Sequence, residues 1–243
     1  RSLGPIHRYK GTISAGPNVA YGLAAGRIEE KQLDDLDLSS WRLAFNGAEP
    51  VRPRTVERFV ERFTPYGFRA EAVMPVYGLA ESSVGLAFPP LGRGPRIDRV
   101  RREPLEQDRR AQPAAAAESD VLRYVSCGHV LRGHELRVVG DDGTPLGERE
   151  EGRVQFRGPS CTTGYFRNEA ATRALFAGDG WLEAGDRGYL ADGEIHLTGR
   201  IKDIIIRAGR NIHPEEVEQA VADVRGIRKN NVAAFASGER EAA

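Results

Sequence analysis

The sequence has few cysteines, and none of them belongs to a pattern that binds a metal. Only Cys127 and Cys161 occur in 243 residues. So low a count fits a reducing compartment, with both side chains acting as small buried apolar groups, and we expect a cytoplasmic protein. No cluster of cysteine and histidine has the spacing of a zinc site.

The sequence also lacks an excess of charge and a long apolar run. Lys plus Arg number 35 and Asp plus Glu number 35, so the formal net charge is zero. Bulk charge therefore gives no indication of a nucleic-acid partner. No segment is apolar enough over a sufficient length to predict a transmembrane segment, and no signal peptide is visible. The chain also opens at Arg1 without an initiator methionine, and we expect it to be a piece of a longer protein.

The first half of the chain has the pattern of an α/β domain. Four apolar residues of RTVERFVERF follow the spacing of a helix with one apolar face: Val56, Phe59, Val60 and Phe63. The runs RLAFN and AVMPVYG on either side predict buried strands, and a helix between strands indicates a parallel sheet. We assign residues 1–120 to this α/β part, including a segment near 89–120 that is rich in Pro and Arg. That segment is either a linker or a surface insertion.

The second half is dominated by short strand patterns. VLRYVS, HELRVVG, EGRVQFRG and EIHLTG predict strands, and GDDGT and LADGE have Asp-Gly turn chemistry. Asn168 is a suitable N-cap for one intervening helix. We therefore predict a β-rich subdomain over 121–200, either a small barrel or an open sheet. Residues 201–243 begin with the strand DIIIRAG, and a helix follows from Pro214.

Four motifs follow one another over residues 46–221: NGAEPV, YGLAESS, TGYFRNEAATRALFAGDGWLEAGDRGYL and GRIKDIIIRAGRNIHPEEVEQAV. In this order they resemble the adenylate-forming superfamily, which includes acyl-CoA synthetases, luciferases, adenylation domains and fatty acyl-AMP ligases. The resemblance implies part of a large α/β adenylation domain with a small β-barrel subdomain. A hinge and the truncated start of a small α+β carboxy-terminal lobe, residues 201–243, would follow. It also implies ATP and Mg²⁺ as cofactors.

The resemblance assigns the adenine contacts to two strand ends. Tyr77 matches the aromatic residue that stacks on adenine, with Gly78 beside it, and an aromatic face suits a flat heterocycle. The backbone of Gly47, Ala48 and Glu49 matches the segment that lines adenine, where a glycine permits close approach. The alternative for each position is an ordinary structural role, core packing for the tyrosine and a strand-to-helix turn for NGAE.

Two further positions match contacts to the sugar and phosphates. Asp186 matches the aspartate that accepts both ribose hydroxyls, although Ala184 stands where the family usually has Thr. Arg200 matches an arginine that reaches the ribose or a phosphate, and its guanidinium stays charged. A surface ion pair is the alternative role for Arg200.

Glu81 is the predicted catalytic and metal-binding residue. In the family this glutamate holds Mg²⁺ against the ATP phosphates, and one carboxylate is sufficient because Mg²⁺ keeps several waters. Ala80 replaces the usual threonine, as in the fatty acyl-AMP ligase branch. Ser82 or Ser83 could supply the missing hydroxyl. A surface carboxylate is the alternative role for Glu81.

The remaining assignments concern the hinge and the acyl substrate. Lys202 matches the hinge at which the carboxy-terminal lobe rotates between adenylation and acyl transfer, and Gly209 matches the loop that swings with it. GTISAGPN, with Gly16 and Asn18, lacks the Gly-Lys-Ser/Thr ending of a phosphate loop. It resembles instead the segment that borders the acyl pocket of fatty acyl-AMP ligases.

Length favours the fatty acyl-AMP ligase branch within the superfamily. Glu81 and Gly128 are 47 positions apart, more than in the shorter acyl-CoA synthetases, and the Arg- and Pro-rich segment resembles the insertion of the ligases. The expected function is activation of a fatty acid to acyl-AMP and transfer to a carrier-protein thiol. A long-chain acyl-CoA synthetase, with CoA as acceptor, is the alternative. A non-catalytic nucleotide-binding or interaction module is the alternative of another class.

The resemblance also implies that two family parts lie outside this chain. The phosphate loop is expected before residue 1, and the catalytic lysine of the carboxy-terminal lobe after residue 243. That lysine neutralises charge at the α-phosphate during attack. We therefore expect this chain alone to be inactive.

Overall fold

The structure is a computed structural model that describes residues 3–207, 210–212, 214–222, 224, 226–227 and 232–236. Within these residues the helices are α1 (Leu3–Tyr9), α2 (Asn18–Arg27), α3 (Pro53–Phe63), α4 (Arg102–Asp108), α5 (Glu169–Leu175) and α6 (Pro214–Ala222). The strands of the first half are β1 (Ile13–Pro17), β2 (Leu43–Gly47), β3 (Val73–Pro75), β4 (Ala87–Phe88) and β5 (Ile97–Arg101). Those that follow are β6 (Val121–Val125), β7 (His129–Val130), β8 (Glu135–Val139), β9 (Gly152–Arg157), β10 (Phe176–Gly178), β11 (Trp181–Ala191), β12 (Glu194–Arg200), β13 (Ile205–Arg207) and β14 (Arg210–Ile212).

The predicted parallel sheet is confirmed. Strands β1, β2 and β3 pair in parallel in that order, and α3 lies between β2 and β3 along the chain, as a parallel connection requires. Pro53 begins α3 because its fixed φ suits the first helical turn and its missing N–H has no partner there. Val56, Phe59 and Phe63 form the buried face of α3.

An aromatic cluster forms the core beside this sheet. Trp41, Phe59 and Phe68 meet with ring centroids 5.1–6.0 Å apart and tilted or edge-on planes, the arrangement that ring quadrupoles favour. Tyr21 joins them and donates its hydroxyl to the Phe45 carbonyl at 2.9 Å, so its polar end is satisfied inside the core. Each such ring contributes about 1.5–3 kcal/mol by leaving water.

The β-rich part is an open, curled sheet. Its antiparallel order is β10-β11-β9-β8, and β12 pairs with β11. The register of β11 shifts against both neighbours near Arg187, and such irregularities bend a strand. Among the described strands β8 and β12 do not pair with each other, so the sheet forms a half-barrel and the open-sheet alternative applies. Asn168 caps α5 as predicted, since its Oδ1 accepts the Ala171 N–H at 3.0 Å.

Segment 89–120 packs against the β-rich part, which favours the surface insertion over the linker. Strand β5 pairs with β6 along its whole length, from Ile97 opposite Val125 to Arg101 opposite Val121. The two strands lie on either side of the boundary predicted at residue 120, which therefore falls within one packed unit. Val100 of β5 and Leu105 of α4 are almost fully buried. Within the described chain no helix has the length and hydropathy needed to cross a bilayer.

Candidate nucleotide site

The carboxyl ends of the three parallel strands lie at one edge of their sheet. Pro17 at the end of β1 pairs with Gly47 at the end of β2, and Asn46 pairs with Pro75 at the end of β3. A Cβ at Gly47 would lie 2.8 Å from Val76 Cγ2, so the glycine lets the end of β2 pass close to the chain leaving β3. Ligands of such sheets bind beyond this edge.

Side chains tie the first two strand ends together. The Glu49 carboxylate accepts the Val19 N–H, and Asn18 Oδ1 accepts the Arg52 N–H at 3.2 Å. Asn18 is buried and braces the start of α2 against the start of α3. This geometry gives Asn18 a structural role, and its predicted contact with the substrate stays a prediction. Gly16 lies beside Asn46 in the sheet, and a Cβ there would make ordinary contacts at 3.6 Å or more.

A tight turn, residues 78–84, follows β3 and carries Glu81. A Cβ at Gly78 would lie 1.7 Å from the Val84 carbonyl oxygen, so only glycine allows the turn to close. Ser82 is buried and donates its hydroxyl back to the Leu79 carbonyl at 3.1 Å. Its hydroxyl hydrogen is thus engaged inside the turn, and the predicted nucleotide contact of Ser82 stays a prediction. Ser83 is exposed, and its hydroxyl donates to the Ser160 carbonyl at 3.0 Å.

The structure brings Tyr77, Asp186 and Arg200 together from three parts of the chain. Tyr77 donates its hydroxyl to Asp186 Oδ2 at 2.6 Å, and Arg200 Nε lies 3.7 Å from Asp186 Oδ1. Asp186 and Arg200 are opposite each other on β11 and β12. Burial raises the pKa of Asp186 above its usual range, while the Tyr77 hydroxyl and Arg200 partly oppose that rise. Burial also raises the pKa of Tyr77, so its hydroxyl stays a donor.

Glu81 lies close enough to this group for its charge to add to the rise in the Asp186 pKa. Its Oε1 accepts the hydroxyl of Tyr165, and this hydrogen bond raises the pKa of Tyr165. The Thr162 N–H donates to the Glu81 carbonyl at 2.8 Å. Sequence reasoning missed Tyr165 as a site residue, although it lies in the quoted motif TGYFRN.

The donor chemistry at Glu81 fits a magnesium ion held mainly by a nucleotide. Among the described residues no group of three or more His, Cys, Asp or Glu side chains could form a metal cage. A single half-exposed carboxylate is what Mg²⁺ needs when phosphates and waters supply its other ligands.

The hinge candidate lies just outside this group. Lys202 is exposed in the turn that follows β12, two residues after Arg200. The preceding Ile201 N–H donates to the Gly185 carbonyl at 3.0 Å, which fixes the start of this turn beside Asp186. Gly209 lies outside the described residues.

Known proteins share this sequence and geometry. The family described as AMP-binding enzyme matches residues 2–166. A medium-chain-fatty-acid–[acyl-carrier-protein] ligase of Moorena producens is 38% identical over 97% of this chain and 42% of its own length. A Caulobacter vibrioides protein, provisionally named an acyl-CoA synthetase, is 41% identical over 95% of this chain and 41% of its own length. The chain thus spans about two-fifths of these curated relatives.

Solved structures agree with the fold over nearly the whole chain. One, from a study of fatty acyl-adenylate ligases of E. coli and L. pneumophila, has a TM-score of 0.91 at 37% identity, covering 97% of this chain and 43% of that one. An L. pneumophila fatty acyl-adenylate ligase with acyl adenylate and pyrophosphate has a TM-score of 0.79 at 36% identity, covering 92% and 40%. Because the family match covers about two-thirds of this chain, the chain belongs to the AMP-binding enzyme family.

Proposed function

We propose that the full-length protein carrying this chain activates a fatty acid with ATP to acyl-AMP and transfers the acyl group to a carrier-protein thiol. The observation that carries the proposal is the group formed by Tyr77, Asp186 and Arg200, with Glu81 near enough for its charge to act on Asp186. Tyr77 and Asp186 are joined by a hydrogen bond although they are 109 residues apart in the sequence. The names of the Moorena relative and of the fatty acyl-adenylate ligase structures support the choice of substrate and acceptor.

Each of these residues has a role in the proposal. The Tyr77 ring faces adenine beside the backbone of Gly47, Ala48 and Glu49, and Asp186 accepts the ribose hydroxyls. Arg200 adds positive charge near the ribose and phosphates. Glu81 would hold Mg²⁺, which screens phosphate charge when bound.

The proposed reaction has two steps. A fatty acid carboxylate oxygen attacks the α-phosphorus of ATP, a P–O bond forms and the bond to pyrophosphate breaks. The acceptor thiol then gives up its proton and attacks the acyl carbon, and AMP leaves. Rotation at Lys202 separates the two steps in this scheme. We include a cytoplasmic location, since both cysteines are free.

The test is mass spectrometry of the products made by the full-length protein from ATP, Mg²⁺ and a medium- or long-chain fatty acid. We expect acyl-AMP and pyrophosphate, and an acylated carrier protein once holo-carrier is added. Absence of acyl-AMP with every fatty acid tested would contradict the proposal. Efficient conversion to acyl-CoA on adding CoA would favour the second candidate, an acyl-CoA synthetase, which the name of the Caulobacter relative supports.

The insertion offers a physical reason for a carrier over CoA. Helix α4 of the insertion lies against β14, which follows the hinge. A contact of this kind biases lobe rotation only if it is lost in the other orientation. Deleting residues 93–118 should then raise acyl-CoA formation, but it also removes β5 from β6. Alanine at the exposed α4 residues Glu103 and Gln107 is the milder comparison, and unchanged product ratios in both variants would count against this role.

A further inference from the structure

One loop, residues 158–165, holds the turn that carries Glu81, and we call it the support loop. Ser160 donates its hydroxyl to the Ser82 carbonyl at 2.9 Å, and Ser83 donates to the Ser160 carbonyl at 3.0 Å. On the Glu81 side of the turn, the support loop contributes the Thr162 N–H at 2.8 Å to the Glu81 carbonyl and the Tyr165 hydroxyl to the carboxylate. The turn is thus held at Glu81 and at the two residues that follow it.

His134, just before β8, fixes the support loop in turn. Its Nε2 lies 2.7 Å from Ser160 Oγ. Ser160 has a single hydroxyl hydrogen, and the Ser82 carbonyl takes it, so His134 Nε2 is the donor to Ser160 Oγ. A Cβ at Gly158 would lie 2.2 Å from His134 Cδ2, so the imidazole occupies space that this glycine leaves open. The result is a chain of hydrogen bonds from His134 through Ser160 to the Glu81 turn.

The turn needs such support because its backbone is unfavourable. Ser83 and Val84 have φ of 53° and 84°, in the left-handed region. This backbone conformation is unfavourable for residues with a side chain, and most of all for a β-branched residue such as Val84. Ala80 has no polar side chain, and the Ser82 hydroxyl donates to the Leu79 carbonyl within the turn. Among the described residues, the hydrogen bonds that join Glu81, Ser82 and Ser83 to more distant parts of the chain come from the support loop.

We propose that His134 and Ser160, through the Ser82 carbonyl, and Tyr165, directly, are positioning residues that set the Glu81 carboxylate for magnesium-bound ATP phosphates. This inference rests on the proposed function. It adds three residues to which none of the four motifs assigned a role, and it predicts that substitutions at these residues act through Glu81.

A double-mutant cycle separates positioning from general support. In the full-length protein, His134→Ala should lower the kcat of pyrophosphate exchange about fivefold and raise the half-saturating Mg²⁺ concentration by a similar factor, with the fatty acid KM unchanged. These factors are those of one lost hydrogen bond. In a Glu81→Ala background, His134→Ala should cause no further loss. Equal losses in both backgrounds would overturn the proposal.

A matched set of variants controls for folding. His134→Gln keeps a donor to Ser160 and should recover most of the loss, and Ser160→Ala and Tyr165→Phe should each reproduce the Mg²⁺ shift. Thr163→Ala, an exposed position of the same loop, should behave as wild type. A shift in Thr163→Ala as large as in Ser160→Ala, or no recovery in His134→Gln, would contradict the assignment.

Two readouts do not depend on turnover, so failure of the proposed function would be distinguishable. Hydrogen exchange of the peptide covering residues 77–88 should increase severalfold in His134→Ala and Ser160→Ala, and remain unchanged in Thr163→Ala. Calorimetric titration with a non-hydrolysable ATP analogue gives the ratio of the affinities measured with and without Mg²⁺. We expect this ratio to be about fivefold smaller in His134→Ala than in wild type. Wild-type exchange and Mg²⁺ dependence in both variants would overturn the inference, even if the fatty acid substrate proves different.

Discussion

Two tyrosine–carboxylate pairs lie on either side of the same turn, and their surroundings differ. Tyr77, only 6% exposed, donates to Asp186, whose side chain is 16% exposed, whereas Tyr165, 41% exposed, donates to the half-exposed Glu81. In the first pair burial raises the pKa of both partners. In the second, the pKa rise of Tyr165 has the Glu81 hydrogen bond as its main cause and burial as a smaller one.

The difference teaches that the same contact serves two purposes. Inside the molecule, a hydrogen bond to a carboxylate mainly offsets the cost of removing that charge from water, and breaking it leaves an unpaired buried group. At the surface, water can replace the tyrosine, so the contact contributes little stability and chiefly fixes a direction. We therefore expect the Tyr77 pair to determine stability and nucleotide affinity, and the Tyr165 pair to affect catalysis.

Gly78→Ala should have the largest effect, because Gly78 joins the two pairs. The added Cβ would lie 1.7 Å from the Val84 carbonyl oxygen, so the turn must open and both tyrosine contacts must shift. Overpacking of this kind costs about 1–3 kcal/mol or more. We expect a strong decrease in the free energy of unfolding, measured with denaturant, and in the rate of pyrophosphate exchange. Gly4→Ala, where a Cβ meets nothing within 4 Å, is the control, and equal effects of the two variants would contradict this role of Gly78.

Asp186→Ala and Glu81→Ala should separate the two pairs by kinetic parameter. Loss of hydrogen bonds to the ionised Asp186 should weaken ATP binding by about 1.5–3 kcal/mol, roughly 10- to 150-fold. Glu81→Ala should leave the affinity for metal-free ATP near that of wild type and lower the adenylation kcat instead. Titration calorimetry and pyrophosphate exchange measure the two quantities. An unchanged ATP affinity in Asp186→Ala would refute the ribose assignment.

Much of the fold could be predicted from sequence because its signals are local. The apolar spacing of RTVERFVERF indicates α3, and the capping oxygen of Asn168 indicates α5. The insertion was harder to predict, because its core residues, Val100 and Leu105, are few and widely spaced. Their burial depends on pairing with β6 and on contact with Tyr189, which are non-local features.

In the candidate site, too, some residues could be predicted from sequence motifs and others depend on contacts that the sequence does not reveal. Motif order predicted Tyr77, Glu81, Asp186 and Arg200, and the structure brings these residues together, while their roles stay proposals. Motif matching could not distinguish a side chain that faces the cleft from one that faces the interior. Asn18 and Ser82, for example, are buried and make hydrogen bonds within the protein, which the motifs did not indicate, and their ligand contacts stay predictions. The contact of His134 with Ser160 joins positions 26 residues apart that carry no motif signal.

Comparing Tyr77→Phe with Tyr165→Phe should sharpen the contrast in stability. Tyr77→Phe leaves the largely buried Asp186 carboxylate without its hydroxyl donor, which we expect to lower the free energy of unfolding by about 1–3 kcal/mol. Tyr165→Phe removes an exposed contact and should change it by less than about 0.5 kcal/mol. Urea denaturation followed by tryptophan fluorescence provides both values. Similar values for the two variants would mean that burial does not distinguish the pairs.

Asp186→Asn should have the smallest effect, and its sign is the informative part. The folded-state pKa of Asp186 lies above the ordinary value of 3.8 because burial disfavours the charged form. Asp186 therefore binds a proton more tightly in the folded protein than in the unfolded chain. Its contribution to stability falls as pH rises through the interval between its unfolded-state and folded-state pKa values.

At neutral pH the charge of Asp186 is a net cost to stability, which asparagine removes while its amide oxygen still accepts the Tyr77 hydroxyl. We expect Asp186→Asn to raise Tm slightly at pH 7, by the equivalent of at most about 1 kcal/mol, although ATP binding weakens. At pH values below that interval Asp186 is itself uncharged, so the gain should disappear. Scanning calorimetry at several pH values tests this. A lower Tm for Asp186→Asn at pH 7 would show that Arg200 and Tyr77 together more than offset the burial of the charge, and that the buried pair stabilises the fold as an ion.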